Sequence, residues 1–84
     1  MPIEEANKWK DKGDERLDEG FFEDSIKCFE KALELSPRDI DLWINKGLAL
    51  SNLGNKKNAI NCFNKAIELS PRDNISLDQQ RRGS

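Results

Sequence analysis

The run CFEKALELSPRD, Cys28 to Asp39, returns as CFNKAIELSPRD, Cys62 to Asp73, thirty-four positions later. When residues 6–39 are laid over 40–73, fifteen of the thirty-four pairs are identical. The shared pairs include Trp9/Trp43, Lys12/Lys46, Gly13/Gly47, Gly20/Gly54, Ile26/Ile60, Phe29/Phe63 and Ala32/Ala66. A fixed period of this length constrains the fold more than any other feature. It belongs to chains that stack one small structural unit on the next, because such a unit cannot bury its apolar face alone.

Within each copy the apolar residues recur at helical spacing. Leu42, Trp43, Leu50 and Leu53 form one stripe, with Gly47 and Ala49 as small partners; Ala59, Ile60, Phe63, Ala66, Ile67 and Leu69 form another. Gly54-Asn55 breaks the chain between them, and Ser70-Pro71 ends the second stripe, since the residue before proline is pushed out of the α region. The first copy repeats the plan through Trp9, Gly13 and Leu17, a turn at Gly20, then Ile26, Phe29, Ala32, Leu33 and Leu35 up to Pro37. These patterns predict helices over 3–19, 23–35, 40–53 and 57–69, with a fifth over 74–81, and Asp39 as a cap for the third. Gly13 and Gly47 fall mid-helix, where glycine costs about 1 kcal/mol relative to alanine. Close approach of a neighbouring helix offsets that cost, with Phe29 and Phe63 filling the space that the small residues leave.

Composition excludes several classes of function. With 14 basic and 16 acidic residues the net charge is −2, which offers no electrostatic basis for binding nucleic acid or an anionic membrane. No apolar run approaches the roughly 20 residues that span a bilayer. The opening MPIEEANKWK lacks the basic flank and apolar stretch of a secretory signal, so a cytoplasmic location is expected. Two cysteines and no histidine make a poor metal site and leave no acid–base or nucleophilic constellation; the expectation is no enzyme, no catalytic residue, no metal and no cofactor. Cys28 and Cys62 occupy equivalent places one layer apart, beyond disulfide reach, and are expected as free thiols. Carboxylate pairs such as Asp14-Glu15, Asp18-Glu19 and Glu23-Asp24 lie on or beside helices and are read as solvated surface.

The order of small and aromatic residues resembles the tetratricopeptide repeat family, whose pattern sets Trp and Gly on a first helix and Ala, Phe, Ala and a final Pro on a second. Trp9, Gly13, Phe29, Ala32 and Pro37 match, as do Trp43, Gly47, Ala59, Phe63, Ala66 and Pro71. Lys12 and Lys46 stand at the usual Leu, Arg16 and Leu50 at the usual Tyr, and Ser25 at the first Ala. The resemblance implies an all-α fold: one domain of two helix-turn-helix units, 6–39 and 40–73, stacked in a right-handed array and followed by a short C-terminal helical segment, 74–84, as a tail or as a cap lying over the last helix. It also implies a non-catalytic protein–protein interaction module that takes a peptide or protein partner in a groove lined by the first helices. The lining would come from Asn7, Lys10, Asp11, Asp14, Leu17 and Asp18 on one unit. The other would add Asp41, Ile44, Asn45, Leu48, Ser51 and Asn52. One half is acidic and the other neutral to apolar, which suits a basic or mixed peptide.

Some members clamp a peptide's C-terminal carboxylate with cations and asparagines of the first helices. Lys10 and Asn45 match that set, but Asp14, Ile75 and Gln79 do not, so no such clamp is expected. Two units are also few for an array that covers each face with the next. A second expectation is therefore an excised or engineered stretch whose main behaviour is self-association as a homodimer, with helices exchanged through an opened turn at Gly20 or Gly54. Ile60, Phe63 and Ile67, with Leu77 of the tail, would carry it. Residues 6–39 carry 7 basic and 10 acidic groups, net −3, and 40–73 carry 5 and 3, net +2, so head-to-tail stacking would join unlike ends.

Overall fold

The computed structural model describes the backbone of residues 2–70 and the side chains of residues 4–70. The fifth helix expected over 74–81, and with it Leu77, Ile75 and Gln79, lies outside the described residues. Among the described residues there are four α-helices and no strand: α1 (Pro2–Glu19), α2 (Phe22–Leu35), α3 (Ile40–Asn52) and α4 (Lys56–Leu69). Each boundary falls within one residue of its sequence expectation. Leu53 is the largest departure in kind. It keeps near-helical angles, φ −76° and ψ −10°, but acts as the cap of α3 because the next residue turns the chain away.

The two hairpins close in the same way. Gly20 and Gly54 adopt φ of +88° and +89°, the left-handed region that side chains disfavour. In each turn the glycine N–H donates to the carbonyl three residues back, Leu17 or Ser51, and the following N–H donates to Arg16 or Leu50 at 2.8 and 2.9 Å. This paired pattern satisfies carbonyls that a helix end would otherwise orphan. α2 and α4 instead stop before proline, where Ser36 and Ser70 take ψ of 72° and 134°. Asp39 then starts α3, its carboxylate accepting from the N–H groups of Asp41 and Leu42 at 3.0 and 3.4 Å. Asn55 caps α4 through Asn58 N–H at 3.4 Å, whereas the corresponding Phe21 gives α2 no side-chain cap.

The core forms where glycine notches receive phenylalanine rings. A Cβ placed on Gly13 would lie 2.5 Å from Cε1 of Phe29, and one on Gly47 would lie 2.6 Å from Cε1 of Phe63. Either distance is far inside van der Waals contact. Phe29 is fully buried with Ala32, Leu33 and Leu42, and Trp9, Leu17 and Trp43 pack on that cluster. Leu50, Ala59 and Cys62 form a second cluster, with Ile26, Trp43 and Phe63 around it. Trp43 and Leu42 thus tie α3 back onto α2. Two polar contacts reinforce the tie: Trp43 Nε1–H donates to the Pro37 carbonyl at 2.9 Å, and Lys46 Nζ lies 3.3 Å from Glu30. The lysines at the usual Leu positions have a role of their own, with Lys12 and Lys46 Nζ 5.5 and 5.7 Å from the ring centroids of Trp9 and Trp43.

Ser25 is fully buried and its hydroxyl has no hydrogen-bond partner. Its counterpart in the second hairpin, Ala59, is buried without that burden. Ser25→Ala is therefore expected to stabilise the fold by about 1 kcal/mol, the order of an unmet buried hydroxyl, and to raise Tm by several degrees. A lower melting temperature would show that the hydroxyl is satisfied in solution. The glycines give a second test. Gly13→Ala gains about 1 kcal/mol of helix propensity but meets the enclosed Phe29 ring, an overpacking that costs about 1–3 kcal/mol, so a net loss is expected. Gly47→Ala is expected to lose less, because Phe63 is only half-buried and its ring has room to yield. Urea unfolding of the pair checks the order; stabilisation by Gly13→Ala would mean the ring is not held in the notch.

Candidate functional site

The first helices of the two hairpins, α1 and α3, lie side by side, and three contacts join them. Lys10 Nζ sits 3.4 Å from Asp41 and 3.9 Å from Asp39. Asn45 Nδ2–H donates to Asp14 at 3.1 Å. The family resemblance places Lys10, Asp14, Asp41 and Asn45, though not the cap Asp39, in one groove, and the structure joins Lys10 to Asp41 and Asp14 to Asn45. It also shows that they are already engaged with neighbours from the other hairpin. Leu17 is set apart from the rest, half-buried against the Phe29 cluster, and serves packing. Ile44 and Leu48 stand one turn apart on α3 and are 37% and 43% exposed, a large exposure for apolar side chains on so small a fold. Asn7, Asp11, Asp18, Asp41, Ser51 and Asn52 are exposed, and Asn52 donates its amide to the Leu48 carbonyl at 2.9 Å.

Electrostatics separate the two halves of this face. Asp11, Asp14 and Asp18 recur at three- and four-residue steps along α1, so they share one side of the helix. Burial pushes the Asp14 carboxyl above its ordinary 3.8; Lys10 opposes the shift, while Asp11, Asp18 and Asp41 add to it. A carboxylate held this way favours a cation that would relieve the repulsion. On α3 the exposed Ile44 and Leu48 carry no charge.

Models of two repeat families match the chain: one described as tetratricopeptide repeat over residues 40–73, and one described as TPR repeat over 13–54. The chain belongs to the tetratricopeptide repeat family. Repeats of this family are generally protein–protein interaction modules and typically non-catalytic. No curated protein matches the chain. The match over 13–54 takes in all of α2 and α3, the two helices that meet between the hairpins.

Other surfaces are chemically quiet. Cys28 and Cys62 are buried and unpaired. Burial pushes the Cys62 thiol up, with Lys46 opposing and Glu30 adding, so it stays protonated and unreactive near neutrality. Among the described residues, no group of three or more His, Cys, Asp or Glu side chains is placed to hold a metal ion, and no helix is long and apolar enough to cross a membrane. Sequence reasoning passed over an open hollow of about 250 Å³ at the turn end, bordered by Gly20, Phe21, Glu23 and Leu53, where Phe21 and Leu53 are exposed. The signal was present in the alignment of the repeats, since Phe21 replaces the capping Asn55 and Leu53 replaces Glu19.

The two kinds of contact on Asp39 and Asp41 predict different costs. Asp39→Ala removes the α3 cap and one carboxylate beside Lys10, and is expected to destabilise by about 1 kcal/mol. Asp41→Ala removes only an exposed ion pair, which typically contributes about 0–1 kcal/mol, and is expected to cost less. Chemical denaturation of both variants checks the order.

Proposed function

We propose that this repeat domain, two units over 6–39 and 40–73 with residues 74–84 as a tail, holds an extended peptide across the α1–α3 face. The peptide carries a basic side chain beside an apolar one. One observation supports this above others: the acidic row of Asp11, Asp14 and Asp18 lies on α1, and the exposed pair Ile44 and Leu48 lies on α3, to which α1 is joined by the Asn45–Asp14 hydrogen bond. A lysine or arginine meets the first and an aliphatic side chain covers the second, with the exposed Asn7 available to the peptide backbone. Lys10, already paired with Asp39 and Asp41, is a poor ligand for a terminal carboxylate, in keeping with a partner that is basic rather than acidic.

The reading is checked with labelled peptides of about ten residues that pair lysine or arginine with leucine, followed by fluorescence anisotropy. The ionised Asp14 is the form that attracts the cation. Affinity is therefore expected to be full above the raised Asp14 pKa and to fall as pH drops through it. Asp14→Asn is expected to flatten that pH step and weaken binding about tenfold at neutral pH, as for loss of a charge-assisted hydrogen bond. An acidic peptide that binds equally well would refute the reading.

A second reading, self-association, is favoured by α4. Leu33 on α2 is 8% exposed beneath α3, but its counterpart Ile67 on α4 is 70% exposed, and Ile60 is 57% exposed. A homodimer that covers this stripe needs no exchange of helices. Exchange would require the closed glycine turns at Gly20 and Gly54 to straighten and give up their hydrogen bonds.

A further inference from the structure

We propose that two copies of this chain associate tail to tail, α4 of one running antiparallel to α4 of the other about a two-fold axis. The inference rests on the self-association reading and assigns it a geometry. Ile60, Phe63 and Ile67 follow one another at three- and four-residue steps, so they form a single stripe along α4. Ile60 and Ile67 stand exposed at its two ends, with half-buried Phe63 between them. The equivalent stripe on α2 (Ile26, Phe29, Leu33) is the surface that α3 covers.

The other occupants fit less well. Residues 74–84 follow α4 at the spacing at which α3 follows α2, but they lack the groups by which α3 holds on. Ser76 stands for the fully buried Leu42, and Leu77 for Trp43, whose N–H reaches the Pro37 carbonyl. Gln80 stands for Lys46, which pairs with Glu30. Head-to-tail stacking fails at the other end of the chain. Leu42 and Ala49, both fully buried on α3, are replaced on α1 by the exposed Lys8 and Glu15. Setting those charges on an apolar stripe would desolvate them without partners. α1 thus presents charge at these positions, whereas the α4 stripe presents Ile60 and Ile67.

The α4 stripe is instead complementary to itself. A two-fold axis opposite residues 63 and 64 sets Ile60 against Ile67 of the second copy at both ends and places the two Phe63 rings at the centre. Lys57 and Glu68 lie along one flank of the stripe, so the same axis brings Lys57 of each copy toward Glu68 of the other. Antiparallel helices also align their dipoles favourably. Isologous contacts of this kind close on themselves and stop at the dimer. With three apolar side chains from each copy the interface falls in the small, weak class, below about 1,200 Å².

Sedimentation equilibrium of the full chain, from about 10 μM to 1 mM to reach that class, tests the proposal. A reversible monomer–dimer equilibrium is expected. Ile67→Glu is expected to weaken it by at least about tenfold while leaving helicity unchanged, because Ile67 is exposed in the monomer. Lys57→Glu is expected to weaken it as well, and Lys57→Glu combined with Glu68→Lys to restore it. Lys8→Glu is expected to have no effect. Monomer alone at the highest concentration would overturn both the geometry and the self-association reading. A dimer that survives Ile67→Glu, or that Lys8→Glu dissolves, would leave self-association standing and overturn the antiparallel α4 pairing.

Discussion

The fold depends on the absence of a Cβ at two positions. Phe29 and Phe63 approach the backbone of Gly13 and Gly47 so closely that any side chain there would overlap the ring. That contact sets the distance between the two helices of each hairpin. It also decides where the remaining residues go. With the ring seated, Ala32 and Leu33 face α3 and Leu42 closes over them. A glycine in mid-helix lowers helix stability locally, but burial of a whole phenylalanine side chain contributes about 1.5–3 kcal/mol and outweighs it.

The same sequence element meets two fates. Around Phe29 the stripe of α2 is covered by α3, and Leu33 is buried. Around Phe63 the stripe of α4 carries equivalent residues, yet Ile67 is open to solvent. Local sequence therefore does not determine burial in a stacked fold; the neighbour does. The polar contacts follow the same rule. Trp43 reaches back to Pro37 and Lys46 to Glu30, so each hairpin is fixed mainly by what its first helix finds on the preceding one. α1 has no preceding hairpin among the described residues, and there the positions of Leu42 and Ala49 are held by Lys8 and Glu15.

Much of this was legible in the sequence because the repeat supplies its own control. The period located the four described helices to within a residue, and the glycine–phenylalanine pairs marked the core. Asp39 as a cap followed from its place just before the first apolar turn of α3. What escaped were properties that depend on partners from another helix. Lys12 and Lys46 read as losses against the family pattern, but each ammonium lies over a tryptophan. Leu17 read as groove lining because helical phase alone places it near that face, whereas its side chain leans onto the Phe29 cluster. Lys10 and Asn45 read as groove lining by resemblance, and the cross-hairpin pairing that occupies them joins residues thirty-one positions apart. Leu53 read as the end of the α3 stripe, whereas it caps that helix and stands exposed, as does Phe21 at the other turn.

The occupied polar residues bear on what the α1–α3 face can recognise. A side chain that already spends its hydrogen bonds on the other hairpin loses those contacts when it turns to a ligand, so its net gain from binding is small. Lys10 and Asn45 are in this position and act chiefly as struts between α1 and α3. Asp11 and Asp18 are exposed, and Ile44 and Leu48 keep their apolar surface in water. If this face holds a peptide as proposed, recognition falls to carboxylates without a strong competitor and to an aliphatic pair, a combination that would select positive charge and apolar bulk together. Under that proposal, two such features on neighbouring helices would also fix the direction in which the peptide lies, since reversing it would set the cation over Ile44 and Leu48 and leave the acidic row without a partner.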